Sequence, residues 1–407
     1  MKNRNIIYNN SIPKKYLSEK LNKRLKKNFN NIFTDITKNI NSQNNVFSTL
    51  NKNFNYNFKI KEINKFKKFK NVVVIGMGGS SLGSEAIYNF LGHKINRNFT
   101  FLNNIDDTKI KEIFIKKKTT KILYIVISKS GNTIETLSNL IALRIIKNNS
   151  RNIMVISERN NNALYLLAKK KNFYFVEHKK FIGGRYSVLS EVGIIPSILM
   201  GLNITKLKQD SLKIFKSKNK KFLKESSLNL TNLMNKRQFN NLVLLNYVPQ
   251  LDKFLFWAQQ LIAESLGKKS KGILPVISSM PKDNHSLMQL YLDGPKKNFY
   301  TFFHVLNENS LKINNNKILS SHKYLKNKNL TKILYSQKLA TEEVFLRKKI
   351  PFRSFEVIKR NEKTLGELFC FFILETILLG RSLNVNPFDQ PSVELIKEET
   401  KKILLRS

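Results

Sequence analysis

Two short segments of this 407-residue chain carry glycines and hydroxyls at a spacing suited to holding an anion. Residues 72–83 (VVVIGMGGSSLG) form an apolar run that empties into a small hydroxyl-bearing turn, and residues 125–136 (IVISKSGNTIET) repeat the pattern. An amphipathic stretch follows each. Such a strand–turn–helix unit leaves backbone N–H groups and hydroxyls unpaired at a helix N-terminus, where phosphate binds readily. Two of them about fifty residues apart point to one phosphorylated ligand at the strand ends of an α/β sheet. A P-loop is excluded, because Ser84 rather than Lys follows the Gly78–Gly83 spacing. A dinucleotide fingerprint is matched at Gly76 and Gly78 but not at the third position, Ser81; Asp106 and Asp107 leave a nucleotide reading open.

In the second turn Ser128, Ser130 and Thr133 offer hydroxyls and Lys129 a charge; Ser80 is the partner from the first. The alternative for Ser128–Thr133 is a polar turn with a helix cap. Glu135 falls in the first turn of the next helix, where an acid is favourable without any chemistry. Arg185 follows the flexible pair Gly183-Gly184, so backbone can approach a ligand closely and the guanidinium can stabilise a developing oxyanion; a surface ion pair is the other reading. Glu264, in the stretch from Gln259 and Gln260 to the C-cap Gly267, occupies the last turn of a helix. That unfavourable place for a carboxylate suits a general base, although a solvated Glu also fits. His285, one of five His residues, is either an acid–base group or a helix-capping side chain. Gln390 and Lys397 bracket the start of the last helix, and Lys397 taken alone reads as solvated.

The elements that must position these residues follow from periodicity. Residues 1–55 are polar, with apolar positions at helical spacing, and read as helices. Strands are expected at 71–75, 99–103, 121–127, 152–156 and 173–176, alternating with helices as in a parallel sheet. Residues 204–238 read as a polar helical connection. A second α/β pattern starts at 241–247 and continues through a long helix with Trp257, then 272–277 and 299–305. The tail is helical from about 366, breaks at Asn386-Pro387 and resumes from Ser392. The simplest organisation is two α/β domains, at 56–203 and 239–385, with a tail at 386–407.

A single Cys370 excludes a disulfide framework within the chain and fits a reducing, cytoplasmic setting. The N-terminus has no apolar signal core. The longest apolar stretch, 365–380, carries Glu367 and Glu375, so a buried helix is expected there and no membrane association. The net charge is +44, from 72 Lys and Arg against 28 Asp and Glu. Lys is spread evenly and rises together with Asn, as in residues 160–162 and 314–316. This looks compositional, and no specific nucleic-acid partner is expected; the diffuse field would still steer anions to a cleft.

In this order the motifs resemble those of the phosphoglucose isomerase family, from about residue 70 to the C-terminus. Residues 75–83 resemble I-G-x-G-G-S-x-L-G and residues 128–136 resemble S-K-[ST]-x-x-T-x-E-T. Residues 183–190 (GGRYSVLS) are similar to G-G-R-[FY]-S-x-x-S, and 263–268 (AESLGK) to the base motif E-S-N-G-K. His285 with Gln289 resembles Q-H-[AS]-x-x-Q-L, and 390–397 resembles Q-x-x-V-E-x-x-K. The resemblance implies two sugar-isomerase-type (SIS) three-layer α/β/α domains with mainly parallel sheets and helical extensions at both ends. It implies that Glu264 moves a proton between C2 and C1 through a cis-enediolate, that Arg185 stabilises that intermediate, and that His285, supported by Lys397, assists ring opening. Ser80, Ser128, Lys129, Ser130 and Thr133 would bind the phosphate of a sugar phosphate. Gly79, Gly184, Gln260 and Gln390 would line the pocket with Glu135 close by. A homodimer with the His lent across subunits is implied, and neither a metal nor another cofactor.

The chain departs from the family pattern in four places. Leu266 stands for Asn, Asp283-Asn284 for Gly-Gln, Ser392 for Gly, and Gly131-Asn132 for Phe-Thr. S-G-N-T turns also occur in bifunctional phosphoglucose/phosphomannose isomerases, so mannose 6-phosphate discriminates that alternative. A non-catalytic SIS-domain regulator would bind sugar phosphates without turnover.

Overall fold

The computed structural model describes residues 5–209, 211–215, 217–236, 238–308, 310–313 and 320–406. The Asn tract at 314–316 lies outside them. Among the described residues ten strands form two sheets: β1 (Ile6–Ser11), β2 (Asn71–Ile75), β3 (Asn98–Leu102), β4 (Ile122–Ile127), β5 (Ile153–Ser157), β6 (Tyr174–Glu177), β7 (Asn241–Asn246), β8 (Leu274–Ser279), β9 (Asn298–Val305) and β10 (Phe352–Val357). The first sheet has the order β3-β2-β4-β5-β6 and every pairing is parallel. β2 and β4 lie side by side while β3 flanks β2 on its other edge. The strand order therefore reverses at β2 and β4, which is where an open parallel sheet binds its ligand, beyond the carboxyl ends.

Burial on both faces explains why these strands read as continuous apolar runs. Alternate residues feed two cores: Val72, Val74, Leu123 and Ile125 point to one, and Val73, Ile75, Tyr124 and Val126 to the other. The second sheet, β1-β10-β9-β7-β8, is parallel apart from β1. The helix that leaves the first turn, Leu82–Leu91, packs along Asp252–Leu266, the helix that follows β7. Lys253 pairs with the buried Glu85 across this contact at 3.4 Å. This helix pair links the elements of the two sheets.

The apolar stretch that carries two acids is a buried helix, Glu362–Ser382. Glu375 accepts from Arg353 Nη1 (2.5 Å) and Ser226 Oγ (2.7 Å), and Glu367 accepts from Asn5 and Asn219, both at 2.9 Å. Buried carboxylates are tolerable only when matched in this way. Among the described residues no helix is long and apolar enough to cross a membrane.

The N-terminal stretch departs from its all-helical expectation. Glu19–Asn39 is a helix, but Ile6–Ser11 is an edge strand antiparallel to β10. Its anchor is Tyr8, which stacks on Phe222 at 4.3 Å and donates to Glu367 at 3.2 Å. The strand therefore depends on partners more than 200 residues away rather than on its own periodicity. Within the expected polar helical connection, the helix Ser217–Asn235 buries Leu223, Leu230 and Leu233 and packs against the Glu362–Ser382 helix.

Candidate active site

The first turn is shaped by two glycines with different physical duties. Gly78 has φ +52°, a left-handed conformation that suits glycine. At Gly79 a Cβ would lie 2.2 Å from the carbonyl carbon of Gly184, so the two glycine loops cross backbone to backbone. That crossing brings Ser80 and Gly184 to one place. It also delivers Arg185, from the short helix Gly184–Leu189, to the end of the Asp252–Leu266 helix.

Arg185 is buried, with a side chain only 1% exposed, yet every face of its guanidinium is occupied. Nε donates to Ser265 Oγ (2.8 Å), and Nη1 to Glu264 Oε2 (3.2 Å) and Gln390 Oε1 (2.8 Å). Nη2 donates to the carbonyls of Pro387 (2.6 Å) and Asp389 (2.9 Å). Tyr186 OH meets both Ser265 Oγ and the Pro387 carbonyl at 2.9 Å. Glu264 is half-buried, and its other oxygen accepts from Gln260 Nε2 at 3.0 Å. One partly accessible carboxylate thus rests against a fixed cation whose geometry is set by five bonds.

The second turn closes on itself. Ser128 Oγ meets Thr133 Oγ1 at 2.8 Å and accepts from Gly131 N at 3.1 Å, with Gly131 at φ +67°. Left-handed backbone explains the departure to Gly at this position. Ser130 is exposed, and Glu135 is half-buried in the first turn of the helix Ile134–Ala142. Lys129 reaches Glu158 at 3.7 Å. Partial burial holds the Lys129 amine below the usual lysine range; Glu158 opposes the shift, while Arg185 and Lys180 add to it. Lys129 thus feels the positive charge of Arg185, and a dianion placed beside it would favour its charged form.

Two expected members are not joined to this cluster within one chain. His285 lies exposed in the turn Lys282–His285 after the edge strand β8. Lys397, 54% exposed, bonds Glu394 (2.7 Å) on the solvent-facing helix Val393–Leu404. Gln390, on the same tail, does reach the site through Arg185. The departures have local causes. Leu266 is fully buried, close to Gly380, and packs in the main core rather than lining the site. Asp283 accepts from Ser278 Oγ (2.9 Å), Ser279 N (2.8 Å) and Ser286 Oγ (3.0 Å), which fastens the loop that carries His285.

Sequence reasoning passed over Ser265, Tyr186 and the Pro387 and Asp389 carbonyls. The first two lay inside the motifs already singled out, whereas main-chain acceptors leave no trace in side-chain identity. Glu158 and Asn162 were also missed. Asn162 caps the next helix and lies against Gly131, so it fixes the second turn from the neighbouring strand's loop.

The architecture is that of a protein built from two sugar-isomerase-type α/β units. A solved structure of a hypothetical protein from Thermus thermophilus superposes with a TM-score of 0.83 at 23% identity, over 98% of this chain and all of that one. A glucose-6-phosphate isomerase from Chlamydia trachomatis gives 0.70 at 19% identity, over 85% of this chain and 72% of that one. The sequence profile of the phosphoglucose isomerase family matches residues 19–406, and the chain belongs to that family. It is 35% identical to the probable glucose-6-phosphate isomerase of Methanococcus maripaludis over 84% of this chain and 80% of that protein. Identity is also 35% with the glucose-6-phosphate isomerase of Methanocaldococcus jannaschii, covering 85% and 87% respectively.

Proposed function

We propose that the chain interconverts glucose 6-phosphate and fructose 6-phosphate in the cytoplasm, with Glu264 as the base. The observation that carries this reading is the Glu264 carboxylate 3.2 Å from the buried Arg185 guanidinium, across from a hydroxyl-rich turn at the sheet's switch point. Glu264 takes the proton on C2 of the open-chain aldose. The C–H electrons form the C1=C2 bond, and charge collects on the carbonyl oxygen opposite Arg185. Return of the proton to C1, with transfer of the O2 hydroxyl proton to O1, gives the ketose. Base catalysis of this kind supplies roughly 10²–10⁴-fold and oxyanion stabilisation a further, comparable term. Ser80, Ser128, Lys129, Ser130 and Thr133 hold the phosphate, which orients the reacting carbons. Gly79, Glu135, Gly184, Gln260 and Gln390 border the sugar.

His285 and Lys397 open the ring when two copies associate, His285 being lent by the second copy. The exposure of His285 supports this, as does the outward apolar face of the tail helix, with Val393, Ile396, Ile403 and Leu404 between 40% and 72% exposed. The test is turnover of fructose 6-phosphate by purified protein, read through a glucose-6-phosphate-linked NADP dehydrogenase, together with sedimentation. Sugar-phosphate binding without turnover would replace the isomerase with a regulator. Turnover of mannose 6-phosphate would widen the substrate range.

A further inference from the structure

At the opposite end of the first sheet's strands, where β4 and β5 begin, lies a cavity of about 610 Å³. Lys117, Lys118, Lys121, Arg144, Lys147 and Arg151 line it, and no carboxylate does. These residues come from two segments of chain, 117–121 and 144–151. Among the described residues none of the six faces an acid at ion-pair distance. They are crowded together. Lys117 donates to the Leu143 carbonyl at 3.0 Å and lies 3.7 Å over the Phe114 ring. Its amine is held below the usual lysine range, first by burial and then by Arg144, Lys147 and Lys118. Arg144 occupies a left-handed position, φ +48°, directly after a helix, where glycine or asparagine is the low-strain choice.

A simpler account is that these cations neutralise helix ends. Two helices, Asp107–Thr119 and Ile134–Ala142, do finish here. Each C-terminus carries roughly half a negative charge, so two of them offset about one of the six. Most of the positive charge in the cavity has no counterpart among the described residues. The net charge of the chain does not account for it either, because a uniform excess does not concentrate six cations in one concavity that lacks acids. The volume lies within the range of small-ligand sites.

We propose that this cavity is a second anion site, for a chain of linked phosphates, distinct from the sugar-phosphate turns. β4 separates the two by its six residues, roughly 20 Å. The Tyr124 and Phe69 side chains wall the cavity, and Ser150 and Asn152 add polar contacts to phosphate oxygens. Inorganic tripolyphosphate, titrated calorimetrically into the protein with sugar phosphate at saturation, is expected to bind with one equivalent. The combined variant Lys117→Gln/Arg144→Gln/Lys147→Gln is expected to weaken it by about tenfold or more while leaving isomerase turnover unchanged. The matched variant Lys23→Gln/Lys26→Gln/Lys27→Gln, on the helix Glu19–Asn39, removes the same charge elsewhere and is expected to weaken it far less.

Metal-free ATP presents the same phosphate chain and should depend on the same three residues. Tighter binding than tripolyphosphate would identify a nucleotide, and weaker binding an inorganic chain. Three results would overturn the proposal: no saturable binding, equal loss in the two variants, or a single-stranded RNA that binds more tightly than either through the same residues.

Discussion

Replacing Arg185 by lysine keeps the charge and removes the fork, so it separates electrostatics from geometry. The guanidinium makes five hydrogen bonds, and an ammonium can make at most three. Two of the five acceptors, Ser265 Oγ and the Pro387 carbonyl, keep Tyr186 OH as a partner. The Asp389 carbonyl and Gln390 Oε1 lose theirs, but both belong to a partly exposed tail segment that water reaches. The folding cost is therefore at the low end for lost buried hydrogen bonds, about 1–3 kcal/mol in total, and the protein should still fold. The rate should suffer more. Lysine cannot hold a donor beside Glu264 and also grip the tail, so the donor leaves the position where the enediolate charge forms. Loss of one such donor costs about 10²–10³-fold in kcat. Linked-dehydrogenase kinetics are expected to show that loss with KM nearly unchanged, the pattern of an interaction made only in the transition state. A variant that melts normally and keeps wild-type kcat would refute the role given to guanidinium geometry.

Gly79→Ala inserts a methyl 2.2 Å from the Gly184 carbonyl carbon. It should force the two loops apart and lower kcat/KM by about a hundredfold, through displacement rather than loss of any chemical group. Asp283→Ala removes three acceptor contacts beneath the His285 loop. It should cost about 2–4 kcal/mol in denaturant melts and slow isomerisation of cyclic sugar more than that of an analogue locked in open-chain form. Lys208 is buried against Tyr56 OH (3.1 Å), with the rings of Phe54 and Tyr56 at 4.8 and 5.0 Å, and burial pushes its pKa down to about 7 despite Glu191. The unfolded chain then holds the Lys208 proton between pH 7 and the ordinary lysine range while the folded chain does not. Stability from this group thus rises with pH across that window, by up to about 1.4 kcal/mol per pH unit. Lys208→Met should abolish the rise and stabilise the protein most below pH 7; melting curves with an unchanged pH slope would contradict the assignment.

What was legible in the sequence was local. β2, β4 and β5 could be read because burial on both faces makes them apolar throughout, and the two turns because glycine and hydroxyl spacing is a short-range property. β1 and β10 escaped notice because their stabilisation is long-range. Arg353 and Glu356 look like surface residues until Glu375 and Lys338 arrive from distant helices. Arg185 and Glu264 were recognisable as candidates, but their meeting depends on helix packing between the two sheets. The basic cavity was invisible because residues 117–121 and 144–151 are ordinary lysine-rich sequence until the starts of β4 and β5 gather them. The ring-opening roles of His285 and Lys397 rested on the family motif, and within one chain both are exposed and bond to none of the Arg185–Glu264 cluster.

The central claim is that one carboxylate carries the proton. Its most direct test is Glu264→Gln, which keeps the acceptor for Gln260 and the size of the side chain but removes the base. With fructose 6-phosphate in deuterated water, the wild type is expected to deliver solvent deuterium to C2 of the glucose 6-phosphate formed. The variant should lose both turnover and label by about a hundredfold or more, with substrate affinity retained. A variant that isomerises and exchanges at the wild-type rate would place the base elsewhere.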